Sequence, residues 1–384
     1  MKWISAFFSI LFLAAISVPF VAYMVQPPQE VSEDEKRDLE PFPEVDIKLL
    51  DKFPPAFNKH WADQFGYRNW FIEKNHQIKM DFLRISPVPN LVLFGNDQWY
   101  FMKGKSYKSY TGLNKFRHEH LKKGRAELQR RADFAKKAGV PYYIFIAPLK
   151  HRIYDNKLPM NIARLTDSMQ VDQFVQLGKE IDGIEVIDLA PVLREHRSER
   201  RLYHKTDNHW NNQGGFVAYS EMIRVMQKDF PNIPDAFNWS DFDIELRDGN
   251  GGALARYLKK TTTLREEYFD FHPVVEPPYR IYADTNEKFQ HPEKFWYPDE
   301  YEIRTVCERD STMPRIVWFR DSFGRMMYRH FRQHFSYTTE IFDSWMYRAN
   351  EHILIEEQPD AIVVLVLERN IQCLLLGGNC EGNF

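Results

Sequence analysis

Short continuous runs of apolar residues alternate along this chain with amphipathic helical patterns. Residues 315–319 and 360–367 contain the runs IVWF and AIVVLVL, with no polar residue inside either run. Such runs are typical of strands whose two faces are both covered by other elements. Because helical patterns separate the strands, the sequence predicts an α/β fold, a three-layer α/β/α sandwich with a mainly parallel sheet.

The alternation extends over most of the chain after residue 90. Apolar β-formers interrupted by Gly95-Asn96-Asp97 predict a hairpin within 92–111. Gly139 is the C-terminal stop of a predicted helix. The predicted elements are helix 113–138, strand 140–147, helix 167–180, strand 184–189, helix 213–228, strand 315–319, helix 323–335 and strand 360–367. Mixed polarity and weak periodicity predict an irregular insertion at residues 230–310.

The N-terminal segment Trp3–Val25 is an uncharged, largely apolar run of 23 residues. As a helix it would measure about 34 Å, which is enough to cross the hydrocarbon layer of a bilayer. Residues 29–40 contain six acidic and two basic residues, so the positive-inside rule keeps the N-terminus cytoplasmic and exports the rest. The sequence therefore predicts a signal anchor at residues 1–26, with a cleavable signal peptide as the alternative.

Composition and charge narrow the possible functions of the remaining chain. Residues 27–89 are rich in proline and charge and predict a stalk or linker, which leaves 90–384 for the main domain. A net charge of -3 without a basic block argues against nucleic-acid binding. Three cysteines exclude a four-thiolate zinc site. In an exported chain Cys373 and Cys380 are the candidates for a disulfide, with Cys307 as the free thiol.

One polar segment, Arg320–Gly324 (RDSFG), lies directly between a buried strand and a predicted helix. A serine at such a turn projects its hydroxyl from the carboxyl end of the sheet, with helix N-terminal amides beside it to stabilise an oxyanion. Ser322 is therefore a candidate nucleophile. An ordinary helix N-cap is the alternative, because Asp and Ser are favoured capping residues.

A second polar segment, Lys205–Trp210 (KTDNHW), precedes the predicted helix at 213–228. Asp207, two residues before His209, would accept a hydrogen bond from the imidazole and leave its other nitrogen free to take a proton from serine. A metal site is the alternative use of such a pair. The two segments together predict a Ser322–His209–Asp207 triad.

We expect neither a metal nor a cofactor. His330 and His334 have the spacing of zinc ligands, but the residues between them lack the glutamate of a metalloprotease helix, so we predict a helix surface instead. No Gly-rich phosphate loop is present. Lys150 follows a predicted strand end and is a candidate substrate ligand in the cleft.

An ordered set of motifs resembles the alginate O-acetyltransferase family of AlgJ and AlgX. The segments run from about residue 90 to 370 and are GNDQWYF, APLKHRIYDNKLP, KTDNHW with Gly214 and Gly215, RDSFGR and Leu367-Glu368-Arg369. The resemblance implies an SGNH-hydrolase-like domain of the AlgJ-like, membrane-anchored type. It places the family's serine, histidine and aspartate on Ser322, His209 and Asp207.

The resemblance also bears on the substrate site. Arg325 and Tyr328 occupy positions that would line the acceptor site, and Trp210 joins Lys150 among the substrate-binding candidates. The order of motifs departs from ordinary SGNH esterases, because here Asp-x-His precedes the serine. The Gly and Asn blocks that complete the oxyanion hole are not identifiable, so Ser322 supplies the one assignable amide.

The expected function is acetylation of the hydroxyls of a secreted polysaccharide, alginate or a similar exopolysaccharide, through a serine acetyl-enzyme. The resemblance implies a membrane-bound O-acyltransferase partner that supplies acetyl, and a place at the periplasmic face of the bacterial inner membrane. A carbohydrate esterase with the same triad is one alternative. A non-catalytic polysaccharide-binding or assembly subunit is the other.

Overall fold

The computed structural model describes residues 2–32, 37–286, 288–292, 295, 297–343, 347 and 350–375. These residues divide into two compact units. The first unit is Met1–Val92 with Ala255–Thr261, and the second is Leu93–Leu254 with Thr262–Phe384.

The helices and strands are numbered along the chain. The α-helices are α1 (Lys2–Val25), α2 (Phe53–Gln64), α3 (Arg68–Gln77), α4 (Lys105–Thr111), α5 (His118–Ala138), α6 (Lys150–Ile153), α7 (Gln170–Lys179), α8 (Ala190–His196), α9 (Asn212–Met226), α10 (Ala253–Tyr257), α11 (Tyr328–Phe331), α12 (Glu351–Glu357) and α13 (Ile371–Leu375). The strands are β1 (Val31–Ser32), β2 (Arg37–Asp38), β3 (Val92–Phe94), β4 (Tyr100–Met102), β5 (Tyr142–Ala147), β6 (Glu185–Asp188), β7 (Phe242–Asn250), β8 (Arg265–Pro273), β9 (Ile281–Asp284), β10 (Glu302–Cys307), β11 (Arg315–Arg320), β12 (Tyr337–Phe342) and β13 (Ala361–Leu367).

The first unit contains the apolar helix α1 and the helices α2 and α3. Among the described residues, α1 is the one helix long and apolar enough to cross a membrane, with a mean hydropathy of 2.3. The prediction of an apolar N-terminal helix is therefore confirmed. That residues 27–89 act as a stalk stays a prediction.

The second unit is built on a seven-stranded sheet in the order β6-β5-β13-β11-β12-β10-β9. The five strands from β6 to β12 are parallel, and β10 runs antiparallel to both its neighbours. Neighbouring strands in the parallel part are joined through helices, as the alternating sequence pattern requires. The predicted mainly parallel α/β sheet is confirmed.

Both faces of this sheet are covered, which explains its continuous apolar runs. Val363 and Leu365 of β13 belong to a core shared with α8 and α9. Ile362 and Val364 point to the opposite side, where they share a core with α5, α7, α12 and α13. The sheet therefore lies between two helical layers, as predicted.

The segment after the serine differs from the single helix predicted at 323–335. It consists of a 3-10 turn at Ser322–Met326, the single turn α11, and a second 3-10 turn at Arg332–His334. The backbone leaves helical geometry at Met327, where φ is -128° and ψ is -16°. The predicted long helix N-terminus beside the serine is therefore wrong, and a short 3-10 turn stands in its place.

Residues 230–310 are more regular than their weak periodicity predicts. They hold the antiparallel ribbon of β7 and β8 and two strands of the central sheet, β9 and β10. Strand β12 was also missed. Both β10 and β12 carry charged side chains that are buried in ion pairs, which masks the apolar pattern expected of strands.

The predicted helix surface at His330 and His334 is wrong, because both side chains are buried. His334 Nε2 contacts the Tyr219 hydroxyl at 2.9 Å, and Nδ1 contacts the Pro234 carbonyl oxygen at 3.1 Å. Cys307 is a buried free thiol. Cys373 is disulfide-bonded, and Cys380, its predicted partner, lies outside the described residues.

Candidate active site

The serine lies on a turn that a buried carboxylate holds in place. Strand β11 ends at Arg320, and Ser322 begins the 3-10 turn that follows. Asp321 Oδ1 accepts the N–H of Phe323 at 2.9 Å, and Oδ2 accepts the N–H of Leu367 at 2.7 Å. The Tyr347 hydroxyl donates to the same Oδ2 at 2.8 Å. The carboxylate thus ties the serine turn to the end of the neighbouring strand β13.

The acid and the histidine lie in the polar loop between α8 and α9. The imidazole Nδ1–H of His209 donates to Asp207 Oδ1 at 2.7 Å, and the backbone N–H of His209 donates to the same oxygen at 3.1 Å. Asp207 Oδ2 accepts the N–H of Ala253 at 2.6 Å. Burial raises the pKa of Asp207, but the charge and hydrogen bond of His209 outweigh it and hold this pKa well below its usual range. Asp207 is therefore ionised in the folded protein at neutral pH.

The histidine connects the two segments. Its Nε2 lies 2.7 Å from Ser322 Oγ, and because Nδ1 carries the hydrogen donated to Asp207, the serine hydroxyl donates to Nε2. The side chains of His209 and Asp207 are 22% and 17% exposed, so the pair is partly open to solvent. The structure therefore brings the three residues predicted from the sequence into one hydrogen-bonded line with the geometry of a general base and its nucleophile. Their catalytic role stays a prediction.

Lys150 lies beneath this loop, not free in the cleft. Its side chain is buried, and its Nζ donates to the carbonyl oxygens of Tyr100 at 2.6 Å and of Lys205 and Asp207 at 2.9 Å each. Burial lowers the pKa of Lys150 to about 7. The ammonium uses all three of its hydrogens on backbone carbonyls of and around the histidine loop. No hydrogen is left for the predicted substrate contact, and Lys150 instead positions the loop.

Trp210 is likewise buried and is not available to stack on a substrate. Its Nε1–H donates at 2.9 Å to the carbonyl oxygen of Phe323, the residue immediately after Ser322. The ring of Phe323 packs at 5.0 Å from that of Trp210 and at 4.8 Å from that of His209. Trp210 therefore fixes the histidine loop against the serine turn, which corrects the substrate-binding role predicted for it.

Arg325 and Tyr328 line a cavity; that this cavity is the acceptor site stays a prediction. Its volume is about 510 Å³, and it is lined by Glu300, Ile303, Arg320, Arg325, Tyr328, Arg332 and Glu340. Arg325 bonds Glu300 at 2.7 and 2.9 Å and lies over the ring of Tyr297 at 4.6 Å. Because Arg320 precedes and Arg325 follows Ser322 closely in the chain, the cavity adjoins the serine turn.

Two groups that support the acid were missed from the sequence. Glu266 Oε2 accepts both the N–H and the hydroxyl of Thr206 at 2.7 Å, next to Asp207. A Cβ on Gly252 would lie 2.5 Å from Asp207 Oδ2, so only glycine fits there. Both lie in the segment predicted as irregular, and no local pattern connects them to a residue 45 or more positions earlier.

The fold and this arrangement together define the class of the domain. A mainly parallel sheet covered by helices on both faces carries a serine, an imidazole and a carboxylate in one hydrogen-bonded line. This is the architecture of an SGNH-hydrolase-like domain.

A comparison with family models supports the resemblance that the motifs indicate. Residues 92–269 match the SGNH hydrolase-like domain of the acetyltransferase AlgX. The matched range contains Asp207 and His209, whereas Ser322 lies beyond it. The resemblance to the AlgJ and AlgX family is confirmed over this range, and the chain carries an SGNH-hydrolase-like domain.

Solved structures with the same fold are distant in sequence. Bacillus cereus PatB1 with a sulfonyl adduct is 14% identical, covers 75% of this chain and 100% of that chain, and has a TM-score of 0.52. A DHHW family protein from Eubacterium siraeum is 11% identical, covers 75% and 99%, and has a TM-score of 0.52. These two matches establish the fold. The O-acetyltransferase domain of Pseudomonas putida AlgJ is 15% identical and covers 73% and 92%, with a TM-score of 0.49. No curated protein matches the chain in sequence.

Proposed function

We propose that this protein is an O-acetyltransferase that acetylates hydroxyls of a secreted polysaccharide, alginate or a similar exopolysaccharide, through an acetyl-enzyme on Ser322. The observation that carries the proposal is the position of His209, whose two ring nitrogens lie 2.7 Å from Asp207 and 2.7 Å from Ser322. The family match supports the acetyltransferase class.

The first step transfers acetyl from the donor to the enzyme. His209 Nε2 takes the proton of Ser322 while Oγ bonds to the carbonyl carbon of the acetyl donor. The donor's leaving group departs with the proton from the imidazolium, whose charge Asp207 stabilises. Ser322 begins its 3-10 turn, so its N–H has no partner within that turn and is the proposed oxyanion donor.

The second step transfers acetyl to the polysaccharide. The same Nε2 takes the proton of a sugar hydroxyl, whose oxygen attacks the acetyl carbonyl carbon. The bond to Ser322 Oγ breaks, and Oγ recovers the proton. The cavity of Arg325 and Tyr328 is the proposed acceptor site, because it adjoins the serine turn and offers both charge and an aromatic surface.

The proposed place of work is the periplasmic face of the bacterial inner membrane. Acetyl-CoA does not cross a membrane, so we propose that a membrane-bound O-acyltransferase supplies the acetyl group. Helix α1 is the proposed anchor, as in the AlgJ-like type. Ala22 of α1 is buried and lies so close to Gly66 that a Cβ on Gly66 would be 2.3 Å from its own Cβ. This packing supports retention of α1, since a cleaved signal peptide needs no fitted partner.

Intact-mass analysis after exposure to an activated acetyl ester tests the proposal. The protein should gain one acetyl group, about 42 Da, and lose it faster when an oligosaccharide acceptor is present. Ser322→Ala should abolish the adduct, whereas the control Ser198→Ala, at an exposed serine, should retain it.

The other outcomes of this experiment distinguish the alternatives. An adduct lost to water at the same rate with or without acceptor would indicate a carbohydrate esterase. No adduct on the wild-type protein would indicate a non-catalytic subunit. An adduct that persists in Ser322→Ala would place the nucleophile elsewhere and contradict the proposal.

A further inference from the structure

The C-terminal end of α1 packs against the first unit, whereas the preceding part of the helix is exposed. Residues 3–18 are exposed along their whole length. From Pro19 onwards the helix is packed: the N–H of Gly66 donates to the Pro19 carbonyl oxygen at 3.1 Å, and the Tyr23 hydroxyl bonds His60 Nε2 at 2.8 Å. The ring of Trp61 lies 5.2 Å from that of Tyr23. Burial of α1 against the described part of the first unit therefore begins at residue 19.

The exposed part of α1 is too short to cross a bilayer. Sixteen residues, 3–18, rise about 24 Å as a helix, whereas the hydrocarbon layer is about 30 Å thick. Tilting the helix would shorten its vertical reach further. About four more residues must lie within the layer, which brings the bilayer edge to the level of Ala22. Ala22 is the residue that packs on Gly66.

Exposed aromatic side chains follow Gly66 directly. Tyr67 is 51% exposed, Trp70 is 53% exposed and Phe71 is 39% exposed. Tyr67 precedes α3 as its N-cap residue, and Trp70 and Phe71 lie in the first turn of the helix. The rings of Trp70 and Phe71 are in contact at 5.0 Å. Together these three residues form an aromatic surface.

We propose that this aromatic surface of Tyr67, Trp70 and Phe71 lies in the headgroup region of the bilayer and is a second membrane contact beside the anchor. Two observations carry the proposal: the shortness of the exposed part of α1, and the position of the three aromatic residues directly after Gly66, which packs on Ala22 at the level of the bilayer edge. Trp and Tyr favour this depth, because one end of each side chain is apolar and the other is polar. The surface would fix the orientation of the first unit on the membrane. The inference rests on α1 being a retained anchor.

Depth-dependent fluorescence quenching tests this contact in the full chain. Trp70→Cys is labelled with bimane and reconstituted in phosphatidylcholine bilayers whose lipids carry bromine either near the headgroup or near the chain end. We expect a loss of emission that is larger with the shallow bromines than with the deep ones. Phe12→Cys, in the middle of α1, is the matched control, and its loss should be larger with the deep bromines. The unsubstituted chain, treated with the same label, gives the background emission from label on its own cysteines.

The two labelled positions separate the possible failures. If the label at position 12 is quenched and the label at position 70 is not, the aromatic surface does not contact lipid and the proposal is wrong. If neither is quenched, α1 is not a retained anchor, and the inference fails with it. Phe71→Cys repeats the measurement if Trp70→Cys does not fold, as judged by circular dichroism.

Discussion

The two sides of the candidate site are held by buried charges of opposite sign. On the serine side, the carboxylate of Asp321 accepts hydrogen bonds from the backbone N–H of Phe323, within the turn that carries Ser322, and from that of Leu367 on β13. On the histidine side, the ammonium of Lys150 donates to three backbone carbonyls, including that of Asp207. A turn that leaves N–H groups unpaired needs an acceptor, whereas a loop that leaves carbonyls unpaired needs a donor.

The two supports also differ in their distance along the chain. Asp321 adjoins the serine, whereas Lys150 is 57 residues from Asp207. The acceptor that supports the serine turn is therefore adjacent to it in sequence, whereas the donor that supports the histidine loop comes from a distant segment of the second unit. Substitutions on the histidine side should accordingly affect both stability and rate.

The largest effect on the rate is expected at Asp207, on the histidine side of the site. Asp207→Asn removes the charge that stabilises the imidazolium and offers an amide that favours the wrong tautomer of His209. We expect the rate of acetyl transfer to fall by about 10³- to 10⁴-fold. The rate is measured as acetyl-enzyme formation with an activated ester.

The control for this variant is Asp182→Asn, a surface aspartate with a 90% exposed side chain. It should leave the rate unchanged. A rate for Asp207→Asn within about tenfold of the wild type would remove the carboxylate from the mechanism.

Lys150→Met should have the next largest effect. It leaves the carbonyls of Tyr100 and Asp207 without this donor, whereas that of Lys205 still accepts the N–H of Tyr100, at a cost of about 2 kcal/mol or more in the free energy of unfolding. Because all three hydrogens of the ammonium are used on the backbone, kcat should fall by about 10- to 100-fold through misplacement of Asp207 while KM stays near its wild-type value. Denaturant unfolding and steady-state kinetics measure the two quantities.

Lys136→Met is the matched control, since this lysine is 71% exposed and pairs with a surface aspartate. It should change neither quantity measurably. If Lys150→Met raised KM and left kcat and stability unchanged, the sequence-based prediction of a substrate contact would be right and the positioning role wrong.

These examples show why part of the site could be predicted from the sequence. Ser322 follows a buried strand directly, and Asp207 lies two residues before His209, so short spacings revealed all three members of the line. The continuous apolar runs of β11 and β13 revealed the doubly covered sheet.

Long-range contacts explain what could not be predicted. The buried positions of Lys150 and Trp210 depend on carbonyls that the fold brings from other segments, so both side chains resembled surface or cleft residues. Strands β10 and β12 were missed because buried ion pairs, such as that of Arg304 with Glu357, place charges where an apolar residue is expected. Such pairs are visible only once the strands are adjacent.

Acid should lower the free energy of unfolding moderately, through two histidines on the serine side of the site. His330 and His334, on the turns that follow Ser322, are buried, and burial lowers their pKa values to about 4 and about 3. The unfolded chain binds protons on both near pH 6.5, so stability is present above this pH and is lost as the pH falls toward 4. Each should reduce the free energy of unfolding by about 1.4 kcal/mol per pH unit.

Substitution of one histidine isolates this effect. His334→Gln keeps a donor for Pro234 and an acceptor for Tyr219 but does not titrate. Between pH 6.5 and 5.5 its loss of stability should be smaller than that of the wild type by about 1 kcal/mol, as measured by urea unfolding. His118→Gln, at an exposed histidine, should behave as the wild type. An equal pH dependence of stability in all three proteins would contradict the assignment of this effect to His334.

The smallest effect on the rate is expected at Trp210, where the histidine loop meets the serine turn. Trp210 follows His209 directly and donates its indole N–H to the carbonyl oxygen of Phe323, directly after the serine. Trp210→Phe leaves this buried carbonyl without a donor, which should cost about 1–2 kcal/mol of stability. Rings of similar shape still pack there, so the histidine loop should shift only slightly.

We expect kcat of Trp210→Phe to fall by about 3- to 10-fold, because Nε2 of His209 and Oγ of Ser322 lose one of the contacts that fix their separation. Trp239→Phe is the control, since Trp239 packs on Phe216 and lies outside the site. Its kcat should be that of the wild type even if its stability falls. Should Trp210→Phe lose stability without any change in kcat, the serine turn and the histidine loop would be held in place independently, each by its own buried charge.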